Sequence, residues 1–401
     1  MCKFLEQVKY CGQLLLIPIY CLSFLFPRNK NIWVFGSTFG KRFADNPKYL
    51  YLYVSQMKSS KTRAIWITKN REVFNEIQKN GYEVYLMKSL KGVYYSLRSG
   101  VYFFDNYAKD ICFWLSGGAS KINLWHGIPL KKIQMDNQFD KVRHPENKLK
   151  KAYWFIRRLS DEKPSHYVLA TSKELVPIFS SAFNTNKVLI ANYPRNDNLL
   201  AKKYDTISSN EELESLEVIQ SCKWSRVLLY MPTFRNTEEK FFEIINIEYL
   251  VEYLKKNNIL LCIKLHPKSK MKEKFQMLNS NSIMVLTASA DPYTILGEVD
   301  GLITDYSSIY FDFLITDKPI IFFDYDRDEY INESRELYKD YEKYTPGRKV
   351  SSMFELLEAI NNLEEDNEFW KAERKRIRNE VFDDIEHIGS KQLYDIVTKI
   401  I

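Results

Sequence analysis

At 401 residues the chain is long enough for two domains with full cores, and its 45% apolar and 27% charged content exclude a disordered chain. Its formal charge of +7 is modest and unevenly spread, so composition does not by itself make this a nucleic-acid-binding protein. The six cysteines, at positions 2, 11, 21, 112, 222 and 262, lack paired or metal-type spacing, which argues against a disulfide scaffold or a zinc site.

From the N-terminus, residues 14–26 are almost wholly apolar, but thirteen residues with Pro18 inside fall short of the ~20 that span a bilayer. No small-residue cleavage site marks a signal peptide. The run reads as a helix lying in the membrane interface, anchored by Arg28 and Lys30, so residues 1–30 are expected to associate with the membrane. A first strand is predicted over 31–36, followed by strands at 64–68, 84–87, 101–104, 121–125, 167–171 and 188–191 with helical stretches between them. Lys131, Lys132, Lys141, Arg143, Lys148, Lys150, Lys151, Arg157 and Arg158 crowd one region, interleaved with Tyr153, Trp154 and Phe155. That is the composition of a membrane-surface element, although a solvated helix face has the same pattern. Cys112, Cys222 and Cys262 lie in apolar runs and read as reduced core residues, pointing to the cytoplasm.

Residues 193–197 read as a turn and 202–215 as a polar linker. A second alternating set follows, with strands at 227–231, 260–265, 283–286, 301–304 and 319–323, then helices at 352–362 and 368–381. The expected fold is therefore α/β and GT-B-like: two doubly wound, Rossmann-like domains, 31–200 and 201–401, facing a central cleft, with the last helix free to pack back on the first domain.

Three segments carry chemistry. Residues 122–132 and 261–268 are apolar runs that end in His126 and His266, followed by Gly127 or Pro267 and then lysines, among them Lys131 and Lys268. Residues just past the carboxyl ends of strands line the ligand crevice of an open α/β sheet. Residues 301–314 read as strand, turn and helix, with Ser307 or Ser308 as the helix cap beside Thr304 and Asp305, a geometry that suits a phosphate. With Lys264, Arg195 and Arg235 these residues outline a cationic, histidine-bearing cleft. Phosphoryl transfer needs alignment, a proton acceptor and positive groups, and this set supplies all three without a metal or cofactor. No Gly-x-Gly-x-x-Gly is present, residues 36–41 are an imperfect phosphate loop with Arg42 in place of its hydroxyl, and Asp324-Tyr325-Asp326 reads as structural rather than as a metal-binding triplet.

At these residues the chain resembles the bacterial CDP-glycerol glycerophosphotransferases of teichoic acid and capsular polymer synthesis. The resemblance rests on Trp125-His126-Gly127-x-Pro129-Leu130-Lys131-Lys132, Tyr193-Pro194-Arg195-Asn196-Asp197, Pro232-Thr233-Phe234-Arg235, His266-Pro267, Thr304-Asp305-Tyr306-Ser307-Ser308 and Asp312-Phe313-x-x-x-Asp317-x-Pro319-Ile320. It implies CDP-glycerol as donor, CMP as product, a lipid-linked or polymeric acceptor, His126 and His266 as the essential histidines, and Thr304, Ser307 and Ser308 as donor-phosphate contacts. Arg235, Lys264 and Asp305 are expected on the donor side, and Gly127, Lys131, Arg195, Asp197 and Pro267 elsewhere in the cleft. Ile128 departs from the family, which usually has Thr there. The expected location is the cytoplasmic face of the membrane, peripherally held, with no nucleic acid involved. Rival readings are a CDP-ribitol transferase, a nucleotide-sugar glycosyltransferase of the same fold, and a non-enzymatic scaffold.

Overall fold

The computed structural model describes residues 12–57, 61–157, 160, 165–200, 208–221, 223–235, 238–327 and 336–401. Its short apolar runs lie side by side as β1 (Asn29–Phe35), β2 (Arg63–Thr68), β3 (Val84–Leu86), β4 (Ser99–Phe104), β5 (Ser120–Asn123), β6 (Tyr167–Ala170) and β7 (Val188–Ile190). They form one sheet of order β3-β2-β1-β4-β5-β6-β7. A second sheet takes β8 (Arg226–Tyr230), β9 (Ile259–Ile263), β10 (Ile283–Val285), β11 (Gly301–Thr304), β12 (Ile320–Phe323) and β13 (Arg348–Val350), in the order β10-β9-β8-β11-β12-β13. The strand pairings in both sheets are parallel, as crossover connections require. Strands buried on both faces read as continuous apolar runs, which is why the sequence announces them. The exception is β13: it pairs at the sheet edge, Ile321 opposite Arg348, and its Arg-Lys-Val composition carries no such signal.

Each sheet reverses its strand order once, between β1 and β4 and between β8 and β11, and the crevices at those points face one another. The helix Asp45–Gln56 packs in the middle, buried at Tyr49, Leu50, Tyr51, Leu52 and Val54, with Pro47 tolerated in its first turn. The predicted linker at 202–215 ends earlier than expected. Ser209 and Glu212 cap each other's backbone and start a helix at Asn210–Gln220, while residues 202–207 of that linker lie outside the described residues. The last helix, Gly389–Ile400, returns to the first half and packs against Asp45–Gln56. A side chain at Gly389 would meet the Asn192 carbonyl oxygen at 2.2 Å, so only glycine permits that approach.

Among the described residues no helix is long and apolar enough to cross a membrane. The apolar N-terminal run forms a one-sided turn and helix, Gly12–Leu16 and Ile17–Ser23. Its inner side docks: Tyr20 stacks on Phe113 at 4.7 Å, and Ser23 Oγ accepts the Gly117 N–H. Its outer side is apolar and open, with Leu15 80% and Leu25 77% exposed. Arg28 does not anchor this run to lipid, as the sequence suggested. It turns inward and donates to the carbonyls of Ser23, Ser96, Ser99 and Leu115. Residues 1–11 of the expected membrane segment, with Cys2 and Cys11, and also Arg158 and Cys222, lie outside the described residues. Cys262 is buried and free, its thiol pushed up to about 12 by burial.

Candidate active site

Loops from the carboxyl ends of both sheets enclose a cleft of about 840 Å³. Arg42 and Asp45 follow β1, and residues 125–131 follow β5. From the second sheet come residues 231–235 after β8, 264–268 after β9, Asp291 and Tyr293 after β10, 306–308 after β11 and Asp326 after β12. Of the residues expected in the site, His126, Gly127, Lys131, Arg235, Lys264, His266, Pro267, Ser307 and Ser308 line this cleft together.

The two histidines sit in mirrored positions but carry opposite hydrogen-bond roles. His126 Nδ1 lies 3.1 Å from the backbone carbonyl of Asp105, which can only accept, so the neutral ring holds its proton there and leaves Nε2 as a free base. His266 Nδ1 instead accepts the Lys268 N–H at 3.1 Å, so its proton is on Nε2, which becomes a donor. Partial burial, then the cations Lys268, Lys264, Arg42 and Lys272, hold the His266 pKa down to about 4, and the ring is neutral at pH 7. Trp125 precedes His126 in a left-handed conformation, φ +54°, rare for an aromatic residue, and its ring lies 3.9 Å from the imidazole.

The arginines do not stand free as the sequence suggested. Arg195 is buried between Asp45, at 3.0 Å, and Asp312, at 2.6 Å, and Asp312 also accepts from Asn196 and Tyr293. Burial works against its charge, but Asp312 and Asp45 outweigh it and raise its pKa above the ordinary range. Arg235 is likewise held between Asp305 and Asp326, the last residue of the Asp-Tyr-Asp triplet. Lys264 Nζ donates to the carbonyls of Thr287 and Ala288, at 2.7 and 3.0 Å, and burial lowers its pKa to about 8.

Four expected residues brace the cleft without lining it. Arg195 does so as described. Asp197 is fully buried and accepts from Gly389 N and Ser390 N, at 2.6 and 3.2 Å, capping the last helix instead of meeting a ligand. Thr304 Oγ1 donates to the Met231 carbonyl, and Asp305 accepts the Thr233 N–H, so these two tie β11 to the loop after β8. The helix behind Ser307 and Ser308 is shorter than expected, Ile309–Phe313, and neither serine side chain caps it. Their hydroxyls, rather than a long helix dipole, are what this wall offers a ligand. Gly127, at φ +149°, makes room: a side chain there would meet Ser308 Oγ at 2.7 Å. The loop at 36–41 is no phosphate cradle, because Asp105 and Asp110 already accept the N–H groups of Thr38 and Phe39. No group of three metal-ligating side chains occurs among the described residues.

Arg42, Asp45 and Asp312 were not expected at the site, although Asp312 stands in a motif that carries the resemblance. Asp45 faces His126 only because the helix Asp45–Gln56 starts at the cleft floor, with its carboxyl raised by burial against the pull of Arg195 and His126. Arg42 shows in the sequence only as the residue that spoils a phosphate loop.

The chain is 29% identical to the teichoic acid glycerol-phosphate transferase of Staphylococcus aureus over 363 residues, covering 86% of this chain and 87% of that protein. It is also 29% identical to the teichoic acid poly(glycerol phosphate) polymerase of Bacillus spizizenii, covering 86% and 88%. A solved structure of the wall teichoic acid polymerase TagF with CDPG shares the fold, with a TM-score of 0.75 and 23% identity over 99% of this chain and 97% of that one. The description CDP-glycerol:poly(glycerophosphate) glycerophosphotransferase matches residues 19–399, and the chain belongs to that family.

Proposed function

We propose that the chain transfers glycerol phosphate from CDP-glycerol to a hydroxyl of a lipid-linked or polymeric acceptor and releases CMP, in teichoic acid or capsular polymer synthesis. Family membership supports the donor and the reaction class. The observation that carries the mechanism is the opposed hydrogen bonding of the two histidine Nδ1 atoms in one cleft. His126 Nε2 takes the proton of the acceptor hydroxyl as its oxygen attacks the β-phosphorus. The new O–P bond forms as the bond from that phosphorus to the bridging oxygen breaks, and CMP leaves with the bond's electron pair. His266 donates its Nε2–H to the pyrophosphate, and Ser307 and Ser308 supply hydroxyl contacts on the same wall. Arg235, Asp305 and Thr304 hold that wall in shape.

The open apolar side of residues 12–26 supports a peripheral seat on the membrane, where a lipid-linked acceptor is found. The basic helix Lys148–Arg157 packs beside the turn Gly12–Leu16 and presents Phe155 63% exposed, adding charge and an aromatic to the same surface.

Incubating the purified chain with CDP-glycerol, CDP-ribitol and UDP-sugars, with and without EDTA, tests this reading. CMP release from CDP-glycerol, dependent on acceptor and unaffected by EDTA, is expected. Preference for CDP-ribitol or a UDP-sugar would replace the donor, and full loss in EDTA would overturn the metal-free mechanism.

A further inference from the structure

The cations in and beneath the cleft differ in whether a carboxylate already holds them. Arg195, Arg235 and Lys48 are each paired with a buried carboxylate, Lys48 to Asp291 at 2.8 Å, and so are neutralised before any ligand arrives. Arg42 and Lys264 are not: among the described residues neither forms an ion pair. They come from opposite halves of the chain and rest on successive carbonyls of one short loop. Lys264 is on Thr287 and Ala288, and Arg42 Nη2 is on Ser289 at 2.8 Å. Both line the cleft beside His266 and Lys268. Carbonyl dipoles hold these groups in place without cancelling their charge. Gathering like charges in a partly dehydrated cleft is costly, and an anion placed among them removes that cost. A guanidinium that spends one N–H on Ser289 keeps others for phosphate oxygens, in the planar fork that suits them.

We propose that Arg42 is a phosphate-binding residue of the reaction, reaching from the first half of the chain to join Lys264 on a phosphate held against the second. This rests on the transferase reading above. The phosphate is either the donor's pyrophosphate or a phosphodiester of the acceptor chain, and the arms of the test separate the two.

The full chain and its Arg42→Gln and Arg42→Lys variants are titrated with CDP-glycerol and with phosphate-free cytidine. The KM is then measured for acceptors with and without a phosphodiester. Loss of a charge-assisted contact of this kind weakens binding roughly ten- to a hundred-fold. Arg42→Gln is expected to weaken CDP-glycerol by that factor and leave cytidine alone, with Arg42→Lys in between. Unchanged donor binding with a raised KM for the phosphodiester acceptor alone places Arg42 on the acceptor's phosphate. Equal weakening of cytidine and CDP-glycerol makes Arg42 a tether between the halves and overturns the proposal, as does less than a twofold change throughout. A wild-type chain that neither binds CDP-glycerol nor releases CMP from it would instead remove the transferase reading.

Discussion

His126 follows β5 of the first sheet and His266 follows β9 of the second, and one backbone contact each gives the two rings opposite hydrogen-bond roles. With Nδ1 spent on the Asp105 carbonyl, His126 can act only through a basic Nε2. His126→Ala is therefore expected to lower kcat by ~10²–10⁴, the usual loss for a general base, with the Kd for CDP-glycerol nearly unchanged. Near-normal turnover by the folded variant would refute the assignment. For His266 the expected observable is its titration: in the unliganded chain the ring should titrate near 4, followed by NMR. The unfolded ring titrates near 6.5, so between that pH and 4 the unfolded chain binds the proton first, and the contribution of His266 to stability falls as pH falls. Donor binding should move the titration upward, because an anion favours the charged ring. A value near 6.5 without ligand would mean that neither burial nor the surrounding cations act on the ring.

At the scale of elements, much of the polar sequence in the motifs that carry the resemblance forms joints between segments. Asp197 follows β7 in sequence but caps a helix that begins at Gly389. Asp197→Ala should cost about 1–2 kcal/mol, the range for a lost cap, read as a lower denaturant midpoint, while the KM for CDP-glycerol stays put. A raised KM at unchanged stability would return Asp197 to the binding site. The paired Asp305 and Arg235 are joints of the same kind, linking the turn after β11 to the loops after β8 and β12.

For the whole molecule, the two halves meet through buried charge pairs, Lys48 with Asp291 and Arg195 with Asp312, beneath the cleft. Removing one member of such a pair strands the other, so Asp312→Ala is expected to destabilise the chain by about 3–5 kcal/mol in chemical unfolding. A loss under 1 kcal/mol would mean that Asp45 alone satisfies Arg195. At the amino ends of the first sheet's strands, the surface made by residues 12–26 and the helix Lys148–Arg157 belongs to the membrane reading. Leu15 and Leu25 project outward without packing partners to lose, so Leu15→Glu with Leu25→Glu should preserve turnover on a soluble acceptor and reduce binding to anionic vesicles. Unchanged vesicle binding would move the contact elsewhere.

The sequence by itself determined the class of fold and most of its strands, because strands buried on both faces must be apolar from end to end. It also placed His126, His266 and the two serines at the cleft, since the loops that line it follow those strands directly. It could not reveal β13, whose polar edge position leaves no pattern, nor the start of the helix at Asn210 inside a stretch that reads as a polar linker. Only the tertiary structure separated cations that are neutralised from cations that are available. Charge state depends on which carboxylate lies within a few ångströms, and Asp312, Asp326 and Asp45 reach their arginines across 117, 91 and 150 residues of chain. The same holds for the histidines: the sequence supplies two imidazoles, and the packing of one carbonyl and one amide decides which nitrogen of each ring is left to accept or donate.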